Sequence, residues 1–412
     1  MKRVAIIDGF SSGKFVAKSL YNRNCELIHI SSSAQLDSYY YKGFEEGIYR
    51  LSIIHDCLEK SLEILKKFNA EFIIAGSESG VALADLLNKE LLLSYRNDFE
   101  SASCRRNKFD MIEAIRAAGL NAVAQVCISE WREASNWLHN RNYPVVLKPL
   151  TSAGSDNVFI CQNEDEVHLA FNKTKNQINK LNLINEYVLI QDFMQGVEYV
   201  VNFVSLDGNF LVTEVVRYYK RKLKSGNVIY DIDELIDSSA EEFETLVDYT
   251  KRVCIALGIK NGPSHAEVML TKDGPCLVEI AARSDGILRP DICFSTTGLG
   301  QLEATVLSVV DPQKFLSLTR EPFYRLKNFS FNVGLISPGQ GIFSDVALIE
   351  HSKKLPSYKS IELYLSSGEH VTKTKDVFSQ PGTIYLVSPD KAQLWEDYKK
   401  IRDFEKSGIY FI

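Results

Sequence analysis

At 412 residues, with 45% hydrophobic and 24% charged side chains, the chain has ordinary globular composition and enough length for more than one packed domain. A net charge of −6 removes the electrostatic case for nucleic acid, and no apolar run approaches a membrane span. The eight cysteines are scattered, Cys276 and Cys293 being the nearest pair, which excludes a zinc ribbon and a CxxC redox motif.

Met1-Lys2-Arg3 leads directly into an apolar strand at Val4–Ile7, leaving no room for a signal peptide, so a cytoplasmic location is expected. Strand and helix then alternate: a helix over Phe15–Asn22, a strand over Glu26–Ile30, helical periodicity over Ile53–Phe68, a strand over Phe72–Ala75 and a helix over Val81–Asn88. This alternation predicts a Rossmann-like parallel-sheet domain over residues 1–100. A helical connecting part follows over 101–141, containing the amphipathic stretch Asn107–Ala118. Strands dominate thereafter, at Val145–Pro149, Tyr187–Phe193, Glu198–Ser205, Phe210–Tyr218 and His265–Arg283, with a helix over Glu241–Leu257. Asp207-Gly208 and Asp273-Gly274 are hairpin-turn signals. The last ninety or so residues mix strands with a closing helix over Lys391–Glu405. The class is α/β with α+β.

Four segments could carry chemistry. Gly9-Phe10-Ser11-Ser12-Gly13-Lys14 sits between strand and helix as a P-loop does, but it has one residue too few between its glycines and Phe15 where Ser or Thr is required. It reads as a tight strand-to-helix turn. Lys148 ends an apolar strand and is followed by the hydroxyl-rich loop Thr151–Asn157, whose backbone N–H groups could surround phosphate; a solvated hairpin is the plain alternative. In the hairpin His265–Leu270, Thr271–Pro275, Cys276–Arg283, side-chain alternation brings Glu267 opposite Glu279 on one face. Facing like charges destabilise a hairpin unless a cation sits between them, and two carboxylates suit Mg²⁺ shared with nucleotide phosphates; an exposed hairpin face with two solvated glutamates is the plain alternative. The fourth segment, Ile190 to Tyr199, is a strand, a short connector and a strand resuming at Glu198. The short basic clusters Arg105-Arg106 with Lys108, and Lys220-Arg221-Lys222, are candidates for facing phosphate, with solvated surface as the plain alternative.

In this order the segments resemble the ATP-grasp superfamily over roughly residues 1–320. The strings Asp8–Gly13, Lys148–Val158, Glu214–Tyr218, Ser264–Glu267 and Glu279–Arg283 look most like the L-amino-acid ligases of the dapdiamide and bacilysin synthetase type. The resemblance implies an ATP-grasp fold: the N-terminal domain, a small lid subdomain at 142–205, a large subdomain with the metal hairpin at 206–320, and a C-terminal subdomain at 321–412. It implies ATP and Mg²⁺ as cofactors. Lys108 and Lys148 would contact ATP phosphates, and Ser152, Ala153, Gly154 and Ser155 would close over them. Gln191, Asp192, Phe193 and Met194 would hold adenine, and Glu198 the ribose. Glu267 and Glu279 would bind the metal. Arg283, with Lys148 and Ser152, would act on the transferring phosphoryl group. His265, Arg217, Gly286 and Arg289 are candidates for substrate contact. Many members carry Asn two residues after the second glutamate; this chain has Ala281, which offers no ligand atom.

The implied activity is ATP-dependent joining of a carboxylate to an amine through an acyl phosphate, with amino acids or other small carboxylates and amines as partners. No nucleic acid or membrane partner is expected, and assembly as a homodimer is left open. Another ATP-grasp reaction, such as a carboxylase, or a non-catalytic nucleotide-binding protein is the alternative.

Overall fold

The computed structural model describes residues 1–34, 41–152, 157–179, 182–223, 228–287, 289–376 and 379–411. The N-terminal part runs β1 (Arg3–Ile7), α1 (Gly13–Asn22), β2 (Glu26–Ser31), β3 (Leu51–Ile54), α2 (Leu58–Phe68), β4 (Phe72–Ala75) and α3 (Val81–Glu90). Its strands form a parallel sheet in the order β3-β2-β1-β4. The helical periodicity read from Ile53 onward begins instead with an edge strand, where Ile53 pairs with Ile30, and the helix starts only after Cys57. The chain leaves β1 toward β2 on one side and reaches β4 on the other, so the crevice between the β1 and β4 loops is a topological switch point, where open parallel sheets bind ligands. The two loops meet backbone to backbone. A Cβ at Gly13 would lie 2.5 Å from Gly76 Cα, and one at Gly76 would lie 2.5 Å from Asp8 O, so only glycine fits at either position.

After α4 (Lys108–Ala117), capped by Asn107 Oδ1 accepting from the Phe109 and Asp110 N–H groups, the chain builds a second sheet. Its elements are β5 (Gln125–Ile128), α5 (Trp131–Leu138), β6 (Val145–Pro149), β7 (Phe159–Cys161), α6 (Glu164–Thr174) and β8 (Val188–Asp192), antiparallel in the order β5-β8-β6-β7. This lid starts before residue 142 and ends before 205. Its first strand is β5, and the strand after β8 hydrogen-bonds elsewhere.

The remaining strands make one large sheet: β9 (Gly196–Leu206), β10 (Asn209–Lys222), β11 (Val228–Leu235), β12 (Gly262–Thr271), β13 (Gly274–Ala281) and β14 (Phe329–Gly334). A short pair, β15 (Gly341–Ile342) and β17 (His370–Val371), stands apart, while β16 (Tyr358–Leu363) and β18 (Gly382–Ser388) complete the large sheet. The order β13-β12-β9-β10-β11-β14-β18-β16 carries it without a break across the boundary expected at 321, because β11 pairs with β14 (Ile232 opposite Val333). Helices α7 (Phe243–Ala256), α8 (Pro290–Thr296), α9 (Gln301–Val310), α10 (Pro312–Leu318), α11 (Val346–Ser352) and α12 (Lys391–Lys406) cover it.

Four apolar clusters matter for the site. One lies between α4, α7 and the back of the large sheet, where Phe243, Leu246 and Val253 are fully buried, each worth about 1.5–3 kcal/mol. A second joins the N-terminal sheet to α9 through Val4, Ile6, Val204 and Val306. A third belongs to the C-terminal strands and α12. The lid's cluster, from Ile128 to Ile190, is drawn from its own residues.

Arg105 locks the N-terminal part to the large one. Fully buried, it donates to Asp85 Oδ2 from Nε (3.1 Å) and Nη2 (2.8 Å), and to the carbonyls of Asp98 and Leu257. It is therefore a structural bolt, against the phosphate-facing reading of this basic cluster. Among the described residues no helix is long and apolar enough to cross a membrane, and all eight cysteines are free.

Candidate functional site

The two carboxylates of the hairpin face one another through a compensation the sequence hides. The turn between β12 and β13 is the two residues Lys272-Asp273, with Gly274 at φ 102°, shorter than the expected Thr271–Pro275 loop. A two-residue turn alone would oppose residues whose separation is odd, whereas Glu267 and Glu279 have an even one. A bulge on β13 takes up Val278: Val268 pairs with Leu277, and Glu267 pairs with Glu279. Leu277 thereby stays in the apolar cluster behind the sheet while Glu279 faces forward.

Cations surround that pair. Lys108, at the first turn of α4, donates from Nζ to Glu279 Oε2 and to the Ser152 carbonyl, each at 2.9 Å. Lys148 lies on the face of β6 opposite Leu147, which is in the lid core, so it points out of the lid toward the large sheet. It is buried and makes no ion pair among the described residues. Burial, together with Lys108, pushes its pKa down to about 8, against the pull of Glu279, Glu267 and Glu198. Glu279 shows the reverse balance: burial opposes its charge, but Lys108 and Lys148 hold its carboxyl well below the usual range.

Glu198 is on the same face, two strands in, and its carboxylate takes Lys220 Nζ and, at 3.4 Å, the Tyr230 hydroxyl. Burial and the neighbouring Glu267 raise its pKa. On the facing wall, Gln191 Nε2 donates to Gln125 Oε1 at 2.9 Å, and Asp192 pairs with Arg141 at 3.3 Å, leaving Phe193 and Met194 in the connector between the two sheets. Ala153, Gly154 and Ser155 lie outside the described residues.

Arg283 enters from the end of β13, and the partner that fixes it was not anticipated. Glu78, in the turn after β4 at the switch point, accepts from Arg283 Nε at 2.9 Å and also from Arg106. Burial works against the Glu78 charge, yet the two guanidinium groups keep its pKa low. The N-terminal loops press on the same strand end: Ser12 Oγ donates to the Ser284 carbonyl, and a Cβ at Gly286 would stand 3.5 Å from Ser11 Oγ. Asp8 ties these loops together by accepting from Ser32 N, Ser32 Oγ and Ser79 Oγ, each at 2.6 Å.

His265 is buried on the same face as Glu267. Its Nδ1 lies 3.0 Å from Asn202 Oδ1 and 3.3 Å from Asp285 Oδ2, and its Nε2 lies 3.8 Å from Glu267 Oε1. Burial disfavours its protonation, but Asp285 lifts its pKa to about 9, and His265 in turn holds Asp285 low. Asn202 and Asp285 had no sequence signal beyond alternation with Glu198 and spacing from Arg283. Asp233, whose carboxyl burial pushes up to about 8, was also missed.

Two expected substrate residues do not join this group. Arg217 pairs with Tyr199 on the opposite face of the sheet from Glu198, with its guanidinium 4.9 Å from the Tyr219 ring, because strand alternation turns it away. Arg289 caps α8 and is engaged by Asp291 at 3.4 Å and by Glu362, from β16, at 3.6 Å.

The arrangement brings Lys148 from the lid and Lys108 from the start of α4 to carboxylates of the large sheet. A model of the ATP-grasp domain matches residues 141–291. Dapdiamide A synthase of Enterobacter agglomerans is 34% identical over 98% of this chain and 95% of its own length. The chain belongs to the ATP-grasp carboxylate–amine ligases. The L-arginine-specific L-amino acid ligase of Bacillus subtilis is similar to this ATP-grasp ligase at 22% identity, over 75% of this chain and 73% of that one. The crystal structure of an L-amino acid ligase from Bacillus licheniformis shares the fold, with a TM-score of 0.76 over 98% of this chain and 97% of that chain at 18% identity.

The residues fit the groups the family uses. Lys148, buried and without an ion pair among the described residues, has the charge and the position to fit a phosphate. The two facing glutamates suit Mg²⁺, which keeps phosphate and water ligands, better than a metal that needs a closed protein cage.

Proposed function

We propose that this ligase activates a substrate carboxylate with ATP and joins it to the amine of an amino acid, releasing ADP and phosphate. The observation that carries the reading is the convergence of Lys108, Lys148 and Arg283 on the Glu267/Glu279 face. Positive charge is gathered where terminal phosphates would lie. The dapdiamide- and amino-acid-ligase names of the relatives support amino-acid substrates.

Lys108 and Lys148 bind the phosphates, the connector at Gln191–Met194 takes adenine, and Glu198, once released by Lys220, takes ribose. Glu267 and Glu279 would hold Mg²⁺, which would supply charge neutralisation at the phosphates. The carboxylate oxygen attacks the γ-phosphorus and the bond to ADP breaks, giving an acyl phosphate; catalysis here is positioning plus charge stabilisation. Arg283 steadies the transferred group. The loop beginning at Thr151 excludes water. The amine then attacks the acyl carbon, phosphate leaves, and the amine's proton goes to solvent. His265 and the Ser284–Gly286 turn line the acceptor side.

The test is separation of nucleotide products after incubation with a panel of amino acids, with product masses recorded. ADP and phosphate, formed only when both a carboxylate and an amine are present, are expected. AMP as the main nucleotide product rejects the acyl-phosphate route and the roles given to Lys148, Glu279 and Arg283.

A further inference from the structure

A cavity of about 380 Å³ lies beneath α8 and α9, away from the Glu267/Glu279 pair. Its walls include Pro290, Phe294 and Leu302, and its polar groups include the carboxylates of Glu214, Asp285, Asp291 and Glu303, with no Lys or Arg among them. Three of the four are already answered. Asp285 is held by His265 and by Asn202 Nδ2 at 3.2 Å, Asp291 faces Arg289 at 3.4 Å, and Glu303 pairs with Arg23.

Glu214 is different. It is fully buried on β10, its Oε1 accepts from Gln301 N at the start of α9 at 2.8 Å, and the Thr213 hydroxyl and Cys293 thiol also stand against the carboxyl, yet its Oε2 has no hydrogen-bond partner of normal length among the described residues. A buried carboxylate oxygen left without a donor costs free energy, so a donor belongs in the cavity. The other three carboxylates are each engaged by a cation of the protein, which leaves Glu214 Oε2 to an N–H donor and points to an organic cation. The size falls in the range of small-molecule pockets, whose walls are mostly apolar with a few fixed polar groups.

We propose that this cavity binds a primary ammonium compound, its N–H groups donating to Glu214 Oε2 at the deep end and its compact apolar body lying against Phe294 and Leu302. Burial raises the Glu214 carboxyl to about 7, against the pull of hydrogen bonds from Thr213, the Gln301 N–H and Cys293. The cavity also touches the catalytic face, because Asp285 lines it on one side and holds His265 on the other. The ammonium could belong to the reaction's amine donor or to a non-reacting amine; only the first identification rests on the ligase reading, and binding itself does not.

The probe is isobutylammonium chloride, titrated calorimetrically into the full chain with isobutanol and sodium isobutyrate as controls. Saturable binding of the ammonium alone is expected, weakened at least about ten-fold in Glu214→Gln, which keeps the Oε1 acceptor for α9 but removes the charge. Phe294 is exposed at the mouth, so Phe294→Lys leaves the core intact and should weaken binding as well by placing a cation there. No saturable binding to the wild type, equal binding of isobutanol, or full retention in both variants overturns the proposal, the first meaning that the cavity holds water only. In an ADP-release assay, competition with the amine donor assigns the site to that substrate; a changed rate at unchanged donor KM assigns it to a separate amine. Both support the site, and the titration stays readable if no turnover is found.

Discussion

Replacing Glu78 by alanine removes the one carboxylate that both Arg106 and Arg283 contact. All three side chains are less than a fifth exposed, so two guanidinium groups would lose their hydrogen-bonded carboxylate while largely desolvated, Arg283 keeping the Ser284 carbonyl. Removing one member of a buried ion pair costs about 3–5 kcal/mol; residual water contact here favours the lower end. Catalysis should suffer separately. Arg283 is aimed by that contact, and displacing a positioning group by about 1 Å costs on the order of 100-fold. Glu78→Gln keeps the volume and an acceptor, so it should recover part of kcat, with KM for ATP moving less than kcat in both variants. A pH signature follows as well. The folded-state pKa of Glu78 lies below its ordinary 4.5, so its stabilisation is complete above that value and is lost as pH falls through the folded pKa. The wild type should lose its advantage over Glu78→Ala in that acid range. Thermal melts across pH and steady-state ADP release are the assays. An alanine variant that melts with the wild type and keeps kcat/KM within about three-fold refutes the idea that Glu78 positions Arg283.

Other substitutions separate function from folding. Lys148→Met should weaken ATP binding roughly 10- to 100-fold, the value of a charged hydrogen bond. The same variant should melt higher without nucleotide at pH 7, because a lysine depressed to about 8 opposes folding below that pH, an opposition that fades toward its ordinary 10.5; calorimetry showing no gain would count against it. Glu279→Ala should abolish most Mg²⁺-dependent turnover, while Glu241→Ala, on the exposed lead-in to α7, should leave it intact. Relief of Glu267/Glu279 repulsion would stabilise the metal-free alanine variant, but Lys108 already pairs with Glu279, so a lower melting temperature is expected. Arg105→Met should cost about 3–5 kcal/mol in denaturant unfolding by stranding Asp85.

The sequence made the fold class and the order of motifs readable because both rest on local patterns: apolar runs, turn residues, and lysines and glutamates at strand ends. The Glu267/Glu279 pairing was anticipated through a loop that is longer than the real one; a bulge at Val278 restores the parity that the short turn removes. Whatever depends on contacts distant in sequence stayed hidden. Glu78 and Arg283 meet through a domain junction, and Asp285 becomes significant only when β9 and β12 bring Asn202 and His265 to it. Arg217 shows the opposite failure: a plausible residue in a plausible string, turned away by a single step of strand alternation. The lid boundary was misplaced because β8 and β9 are nearly continuous in sequence, and only the hydrogen-bond partners of β9 reveal which sheet it joins.

The self-contained apolar cluster of the lid makes residues 125–192 a natural unit of exchange. A chimera that takes this segment from a relative would sever hydrogen bonds at its seams, such as Gln125 Nε2 to the Phe109 carbonyl, but would leave the interlocking of side chains on both sides unbroken. The N-terminal domain offers no comparable seam, since Val4 and Ile6 share their packing with α9. Shuffling among homologous ligases should therefore transmit the lid as a cassette, while the N-terminal domain has to travel with the helix it grips.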